Sequence, residues 1–142
     1  MAAYCVYQDR CHQEIDHKLN SFQLIPEAKD EIILYLIREN FLNEERFAKS
    51  FARGKFYQKK WGRVKISMEL KKRWINERLI QTALQEINED DYRNTLKKLY
   101  QQKFESLQDS KNYIKHHKSV RFLMQKGYEY ALINEWIVDE NS

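Results

Sequence analysis

Basic side chains are concentrated in one short part of this chain of 142 residues. Residues 49–73, called the basic stretch below, contain ten lysines and arginines and a single acid, Glu69. The ten are Lys49, Arg53, Lys55, Lys59, Lys60, Arg63, Lys65, Lys71, Lys72 and Arg73. Because the whole chain carries only +4, the remainder is net acidic. This asymmetry indicates a polyanionic partner, either nucleic-acid phosphates or an acidic protein surface.

Aromatic residues are interleaved with these charges at Phe56, Tyr57, Trp61 and Trp74. Aromatic rings can stack on unpaired bases, and Tyr57 and Trp61 are the candidates for that role. The alternative is that they belong to the core, where aromatics at helical spacing are more often found. A charge run is commonly an ordinary solvated helix face, but the near absence of acids here favours binding.

A second basic run lies between residues 111 and 126, which contain no acid. Its cations are Lys111, Lys115, Lys118, Arg121 and Lys126. Two interpretations remain open. Either the run extends the binding face, or it is the solvent-exposed face of an amphipathic helix.

Sites for catalysis or for metals are not indicated. Cys5, Cys11, His12 and His17 fall on one predicted helix and fan around it, whereas zinc ligands converge from paired spacings on two elements. Nucleophile elbows, phosphate loops and paired-cysteine motifs are missing from the sequence. We therefore expect no enzyme activity, no metal and no cofactor.

The cysteines and the hydropathy pattern indicate the cellular compartment of the protein. Two cysteines that cannot pair, placed six residues apart on a helix, fit a reducing cytoplasm. The sequence has no apolar run of the roughly 20 residues that span a bilayer and no secretory signal pattern at its start. We expect a cytoplasmic protein with no membrane partner.

The elements that position these residues are predicted to be helices. Glycine occurs 3 times and proline once, too few for the turns of a sheet protein of this length. The phrase Leu42–Phe47 returns as Ile87–Tyr92, and each copy reads apolar, Asn, three mostly acidic positions and an aromatic. Asn43, Asn76 and Asn88 are natural N-caps. A recurrence over the distance that separates these two copies is typical of tandem helical repeats.

The predicted fold is all-α. One domain, residues 1–142, would hold eight helices in a 3+3+2 pattern, the first of them at residues 4–20. The repeats would run over about 4–60, 61–107 and 108–140, as an elongated, right-handed or curved array of helix-turn-helix-like units.

The repeat carries a family resemblance. Phe41–Phe51 resembles the leucine, acidic pair, x-Phe-Ala signature of the RecX family, and Trp61–Lys71 resembles its basic Gly, basic, Ile, x-x-Glu-Leu segment. Lys126-Gly127-Tyr128 resembles its Lys-Gly-Phe element, whereas the second unit has Arg73-Trp74-Ile75 where the family usually has Lys-Gly-Ile.

Members of the RecX family regulate the RecA recombinase, usually by inhibiting its filament, its ATPase and strand exchange. The resemblance implies that this chain is a monomer that binds the RecA–single-stranded-DNA filament through the basic stretch, with weak, salt-sensitive affinity for the DNA itself. Two alternatives stay open: a DNA-binding helix-turn-helix-like module that acts without a recombinase, and a helical scaffold for an unrelated acidic protein.

Overall fold

The computed structural model describes residues 1–108 and 111–141, without the side chains of residues 6, 7 and 138–141. Within those ranges the chain forms helices and turns and no strand, as predicted. The helices are α1 (Ala2–Tyr7), α2 (His12–Asn20), α3 (Pro26–Arg38), α4 (Glu44–Tyr57), α5 (Arg63–Lys72), α6 (Glu77–Leu84), α7 (Glu89–Ser106), α8 (Asn112–Gln125) and α9 (Tyr130–Asn141).

The predicted first helix, residues 4–20, is wrong: the chain forms two helices there, so the described residues hold nine helices and not eight. Gln8 and Cys11 are extended. Asp9 in this break forms an ion pair with Arg46 at 2.6 Å, and Arg10 lies over the ring of Tyr4 at 3.8 Å. These tertiary contacts compensate for the helical hydrogen bonds that the break gives up.

Asparagine begins three of the helices. The side-chain oxygens of Asn43, Asn76 and Asn88 each accept the backbone N–H three residues ahead, at 2.9–3.0 Å. Each cap satisfies one of the N–H groups that a helix start leaves unpaired, a contribution of about 1 kcal/mol. All three caps confirm the sequence prediction.

Left-handed residues end several helices. After α3, α5 and α8 a residue with positive φ follows the helix: Asn40 (59°), Trp74 (63°) and Gly127 (98°). In each case the next backbone N–H reaches back to the carbonyl five residues earlier, at 2.8–3.2 Å. This is the Schellman C-cap, which satisfies the last carbonyls of a helix and usually takes glycine at the left-handed position.

The chain divides into two compact units, each built from two separate segments. Unit 1 comprises residues 1–52 and 68–86, and unit 2 comprises residues 53–67 and 87–142. A buried cluster in unit 1 consists of Cys5, Ile15, Leu19, Ile33, Leu36 and Leu42. Both cysteines are buried and unpaired, and burial raises the pKa of Cys11 to about 11, which keeps its thiol protonated and unreactive.

Unit 2 is centred on aromatic rings. The ring of Tyr92, fully buried, lies 5.5 Å from that of Phe56 and 5.1 Å from that of Tyr128, centroid to centroid. Gly62 and Gly127 allow the two segments of unit 2 to approach closely, and the Gly62 N–H donates to the carbonyl of Lys126 at 2.7 Å. A Cβ on Gly62 would lie 2.2 Å from the backbone of Gly127, so only glycine fits there.

Candidate nucleic-acid interface

The basic stretch comprises the second half of α4, the linker to α5, α5 itself and the turn after it. Its residues belong to both units. Lys49, Lys71, Lys72 and Arg73 lie in unit 1, whereas the remaining six lie in unit 2: Arg53, Lys55, Lys59, Lys60, Arg63 and Lys65.

Five of the ten cations are exposed: Arg53, Lys59, Lys60, Lys71 and Lys72. Lys71 and Lys72 have partners, Glu77 at 3.4 Å and Glu69 at 3.2 Å, but more than half of each lysine side chain is open to solvent. Surface pairs of this kind contribute about 0–1 kcal/mol, so the ammonium groups can exchange the carboxylate for a phosphate at little cost. These five residues are called the exposed cations below.

Arg63 has a structural role that its sequence context does not reveal. Its guanidinium meets Glu89 at 2.5 Å and Glu129 at 3.2 Å, and it lies over the ring of Tyr92, 3.9 Å from the centroid. The hydroxyl of Tyr92 donates to Glu129 and accepts the backbone N–H of Arg63. Arg63 therefore stabilises unit 2, and its charge is already neutralised by carboxylates.

Arg73 is similarly engaged in unit 1. It bonds the carboxylate of Glu69 at 3.1 Å and the Glu69 carbonyl at 2.9 Å, and it lies 4.9 Å from the ring centroid of Phe51. Hydrogen bonds from Arg73 and then Lys72 lower the pKa of Glu69. Lys49, half-buried, pairs with Glu45 one turn earlier at 3.2 Å.

Trp61 lies between two lysines of the stretch. The ammonium groups of Lys55 and Lys65 are 4.8 Å and 4.3 Å from its ring centroid. Cation–π contacts at these distances hold the half-buried indole in place. The ring is therefore occupied by cations, and a base would have to compete with them to stack on it.

Tyr57 is exposed, but its hydroxyl is fixed. It donates to Asp91 at 2.9 Å and accepts the backbone N–H of Asn88 at 3.3 Å. The ring packs edge-on against the buried Phe56, 4.8 Å between centroids. Tyr57 thus links the end of α4 to the start of α7, and stacking on its exposed side stays a prediction.

Trp74 is one of the four aromatics interleaved with the charges, but not one of the two that the sequence favoured for stacking. It is 56% exposed, and its left-handed φ of 63° costs about 1–2 kcal/mol for a residue with a side chain. The turn nevertheless has the same hydrogen bonds as the glycine turn at Gly127. The signal that could have found it is the Trp itself, at a position where Lys126-Gly127-Tyr128 has glycine.

The second basic run lies on α8 and its ends, mostly against aromatic rings. Lys115 is 4.4 Å from the ring of Phe104, and Lys126 is 5.7 Å from that of Phe122. An open groove beside it is lined by Tyr100, Phe104, Asn112, Tyr113, His116, Trp136 and Ile137. Burial, with the neighbouring His117, lowers the pKa of His116, so that imidazole adds no positive charge at neutral pH.

In the part of the chain that the structure describes, no cluster of His, Cys, Asp or Glu has the geometry to hold a metal ion. The described helices also include none that is long and apolar enough to cross a membrane.

Comparison with known proteins identifies the scaffold that carries these residues. The family model described as "RecX, second three-helix domain" matches residues 43–84, and "RecX, third three-helix domain" matches residues 89–137. The chain belongs to the RecX family. The RecX matches correspond to α4–α6 and α7–α9, and confirm the prediction of three-helix repeats. The repeat boundaries predicted from the sequence at about 60 and 107 stay a prediction.

Relatives and solved structures agree with the RecX assignment. The chain is similar to the Regulatory protein RecX of Clostridium perfringens strain 13, with 28% identity over 127 residues, 88% of this chain and 59% of the relative. The protein of the same name from Lactobacillus johnsonii is 31% identical over 90 residues, 63% of this chain and 33% of the relative. The chain thus spans between a third and three-fifths of these two relatives.

The fold is shared with crystal structures of RecX proteins. That from Lactobacillus salivarius superposes with a TM-score of 0.86 at 24% identity, over 96% of this chain and 89% of the other. A second RecX crystal structure gives 0.85 at 22% identity, over 94% and 67%. At these identities the likeness shows the RecX fold alone.

Proposed function

We propose that this protein regulates a RecA-type recombinase, as an inhibitor, by binding the filament that the recombinase forms on single-stranded DNA. The observation that carries the proposal is the set of exposed cations in a chain of the RecX family. Two of them, Lys71 and Lys72, pair with carboxylates but keep more than half of each side chain open to solvent. A nucleoprotein filament presents both phosphates and acidic protein surface, the two partners that such a set attracts.

Arg63 and Arg73 are excluded from the proposed contact. Both are held by carboxylates and by aromatic rings within their own unit. Moving either onto a phosphate would break its bonds to partly buried carboxylates and its contact with a ring, a cost that one phosphate contact does not offset. The exposed cations therefore supply the affinity, and each of the two arginines stabilises its own unit.

The proposed affinity for DNA is electrostatic and depends on salt. Each exposed cation that meets a phosphate of a single strand adds about −0.7 to the slope with which the logarithm of the affinity falls against the logarithm of salt concentration. Inhibition then follows because a protein bound along the filament restrains adjacent recombinase subunits. That restraint alters ATP turnover where the subunits meet, without chemistry by the regulator itself.

A charge reversal with a matched control tests the proposal. Lys59→Glu with Lys60→Glu removes two exposed cations, whereas Arg38→Glu with Arg78→Glu changes the net charge equally at exposed positions outside the stretch. The readout is the ATPase rate of the recombinase on single-stranded DNA. We expect the wild type and the control pair to lower the rate, and the Lys59/Lys60 pair to lose most of this effect.

Two results would count against the proposal. Equal inhibition by both double variants would remove the basic stretch from the mechanism. A wild-type protein that leaves the ATPase, the filament and strand exchange unchanged would refute regulation altogether. In the latter case, tight and sequence-specific binding to DNA in a gel shift would point to a DNA-binding module that works without a recombinase.

A further inference from the structure

Trp74 occupies a backbone position that glycine fills elsewhere in the same chain. After α5 the N–H of Trp74 bonds the carbonyl of Lys71 at 3.1 Å, and after α8 the N–H of Gly127 bonds that of Met124 at 3.0 Å. Both residues are left-handed, with φ of 63° and 98°. A tryptophan is destabilising there relative to glycine because its Cβ crowds the backbone.

Burial of the indole does not offset that strain, since Trp74 is 56% exposed. Its contacts orient the ring without covering it. The imidazole rings of His12 and His17 approach at 6.1 Å each, at 78° and 80° to the indole plane. The turn itself is anchored where the side chain of Gln13 donates to the Lys72 carbonyl at 2.6 Å. The result is an oriented aromatic surface open to solvent.

Two exposed cations lie close to Trp74 along the chain. Lys71 and Lys72 precede the tryptophan, and their side chains are 61% and 67% exposed. Their carboxylate partners are Glu77, which is exposed, and Glu69, which is half-buried and keeps its bond to Arg73, so both lysines can leave these pairs at little cost. Arg73 points its charge elsewhere, onto Glu69 and the ring of Phe51. An exposed ring with two exposed lysines two and three residues before it in the chain matches the chemistry of a base with a phosphate on either side.

We propose that Trp74 is a stacking platform for one unpaired base of single-stranded DNA, with Lys71 and Lys72 meeting the adjacent phosphates. This deepens the proposed function, on which it rests for the identity of the ligand. It assigns base stacking to a residue other than Tyr57 and Trp61, whose hydroxyl and ring already have internal partners. The strain at the turn is retained because glycine would have no ring to offer.

The test separates bases from phosphates. Binding of an oligo-dT strand and of an abasic strand of equal length is measured by fluorescence anisotropy over a salt series. Wild type should prefer the strand with bases. Trp74→Gly should bind oligo-dT about 5- to 160-fold more weakly, the range of one base–aromatic stack, while its affinity for the abasic strand stays the same. The salt slope should not change, because no cation is removed.

Trp74→Asn is a second variant that guards against a folding effect, because Asn40 fills the equivalent left-handed position after α3. Both variants should unfold at the wild-type temperature or above it. Oligo-dT binding that is unchanged in both variants, or equal losses on the two strands, would overturn the platform.

The failures of the two proposals are distinguishable. If wild type binds both strands with an affinity that falls with salt, and the Trp74 variants bind them equally well, only the platform fails. If wild type binds neither strand, the proposed DNA contact fails as well. Variants that bind both strands normally and lose affinity only for the filament would show that Trp74 contacts protein, which also overturns the platform.

Discussion

Replacing Arg63 by alanine should destabilise unit 2 although Arg63 lies in a stretch of surface charge. The substitution removes the pair with Glu129, whose side chain is 29% exposed, the pair with Glu89, which is 55% exposed, and the cation over the buried ring of Tyr92. These contribute about 1.5–3 kcal/mol for the charged hydrogen bond to Glu129, about 0.5 for the exposed pair and about 1 for the ring. Because the three share one guanidinium, we expect a combined loss of about 3 kcal/mol.

The assay is thermal and urea unfolding followed by circular dichroism, with Lys59→Ala as the matched control. Lys59 is exposed, so its truncation should change stability by less than about 0.5 kcal/mol. For a chain of this size, the Arg63→Ala loss corresponds to a fall in the unfolding temperature of about 6–12 °C. If Arg63→Ala and Lys59→Ala unfold at the same temperature, the structural role assigned to Arg63 is wrong.

Further substitutions follow from single contacts. Glu44 accepts the backbone N–H of His12 at 2.8 Å, but burial raises the pKa of its carboxyl. The folded protein therefore binds more protons at Glu44 than the unfolded chain does. It loses stability as the pH rises through the folded pKa. Glu44→Gln should therefore be more stable than wild type in urea at neutral pH, and this difference in the free energy of unfolding should disappear in acid. A difference that does not depend on pH would contradict the raised pKa. Gly54→Ala, in the open interior of α4, should add about 0.5–1 kcal/mol in the same assay, whereas Gly62→Ala should cost about 3 kcal/mol or more because its Cβ meets the backbone of Gly127. Equal effects of the two glycine substitutions would refute the close approach.

Local rules predicted the helix starts well. Asn43 and Asn88 cap helices because their partners are backbone groups three residues away, and such a pattern is visible in any short window of sequence. The same local rule does not reach the contact that Glu44 makes. Its carboxylate is partly buried against the start of α2, 32 residues earlier, and no local pattern contains that information.

The break between α1 and α2 shows why the predicted helix at residues 4–20 failed. Apolar periodicity continues across the break, so the sequence signal favoured a single helix. What ends α1 is a set of distant contacts, above all Asp9 with Arg46, 37 residues later. Prediction from one sequence cannot weigh an ion pair whose two members come together only in the folded chain.

The candidate site shows the same difference between local patterns, which a sequence contains, and long-range contacts, which it does not. Charge density alone was enough to select residues 49–73, but it treated ten cations as equivalent. The structure distinguishes Arg63, whose partners lie 26 and 66 residues away, from Lys59 and Lys60 at the surface. Trp74 was not preferred over Tyr57 and Trp61 because an exposed tryptophan and a buried one look alike in a sequence. Only the backbone angle and the exposure separate them.

The two-segment construction of each unit has a consequence for biosynthesis and for dissection of the protein. Residues 53–67 leave the ribosome long before Glu129. Their native partners are therefore absent while some sixty further residues are made, which affects Phe56 and Arg63 among others. No single cut in the chain yields both units whole, because residues 53–67 of unit 2 lie between the two segments of unit 1. Deletion of residues 43–84, the part that matches the second three-helix domain, would therefore damage both structural units at once.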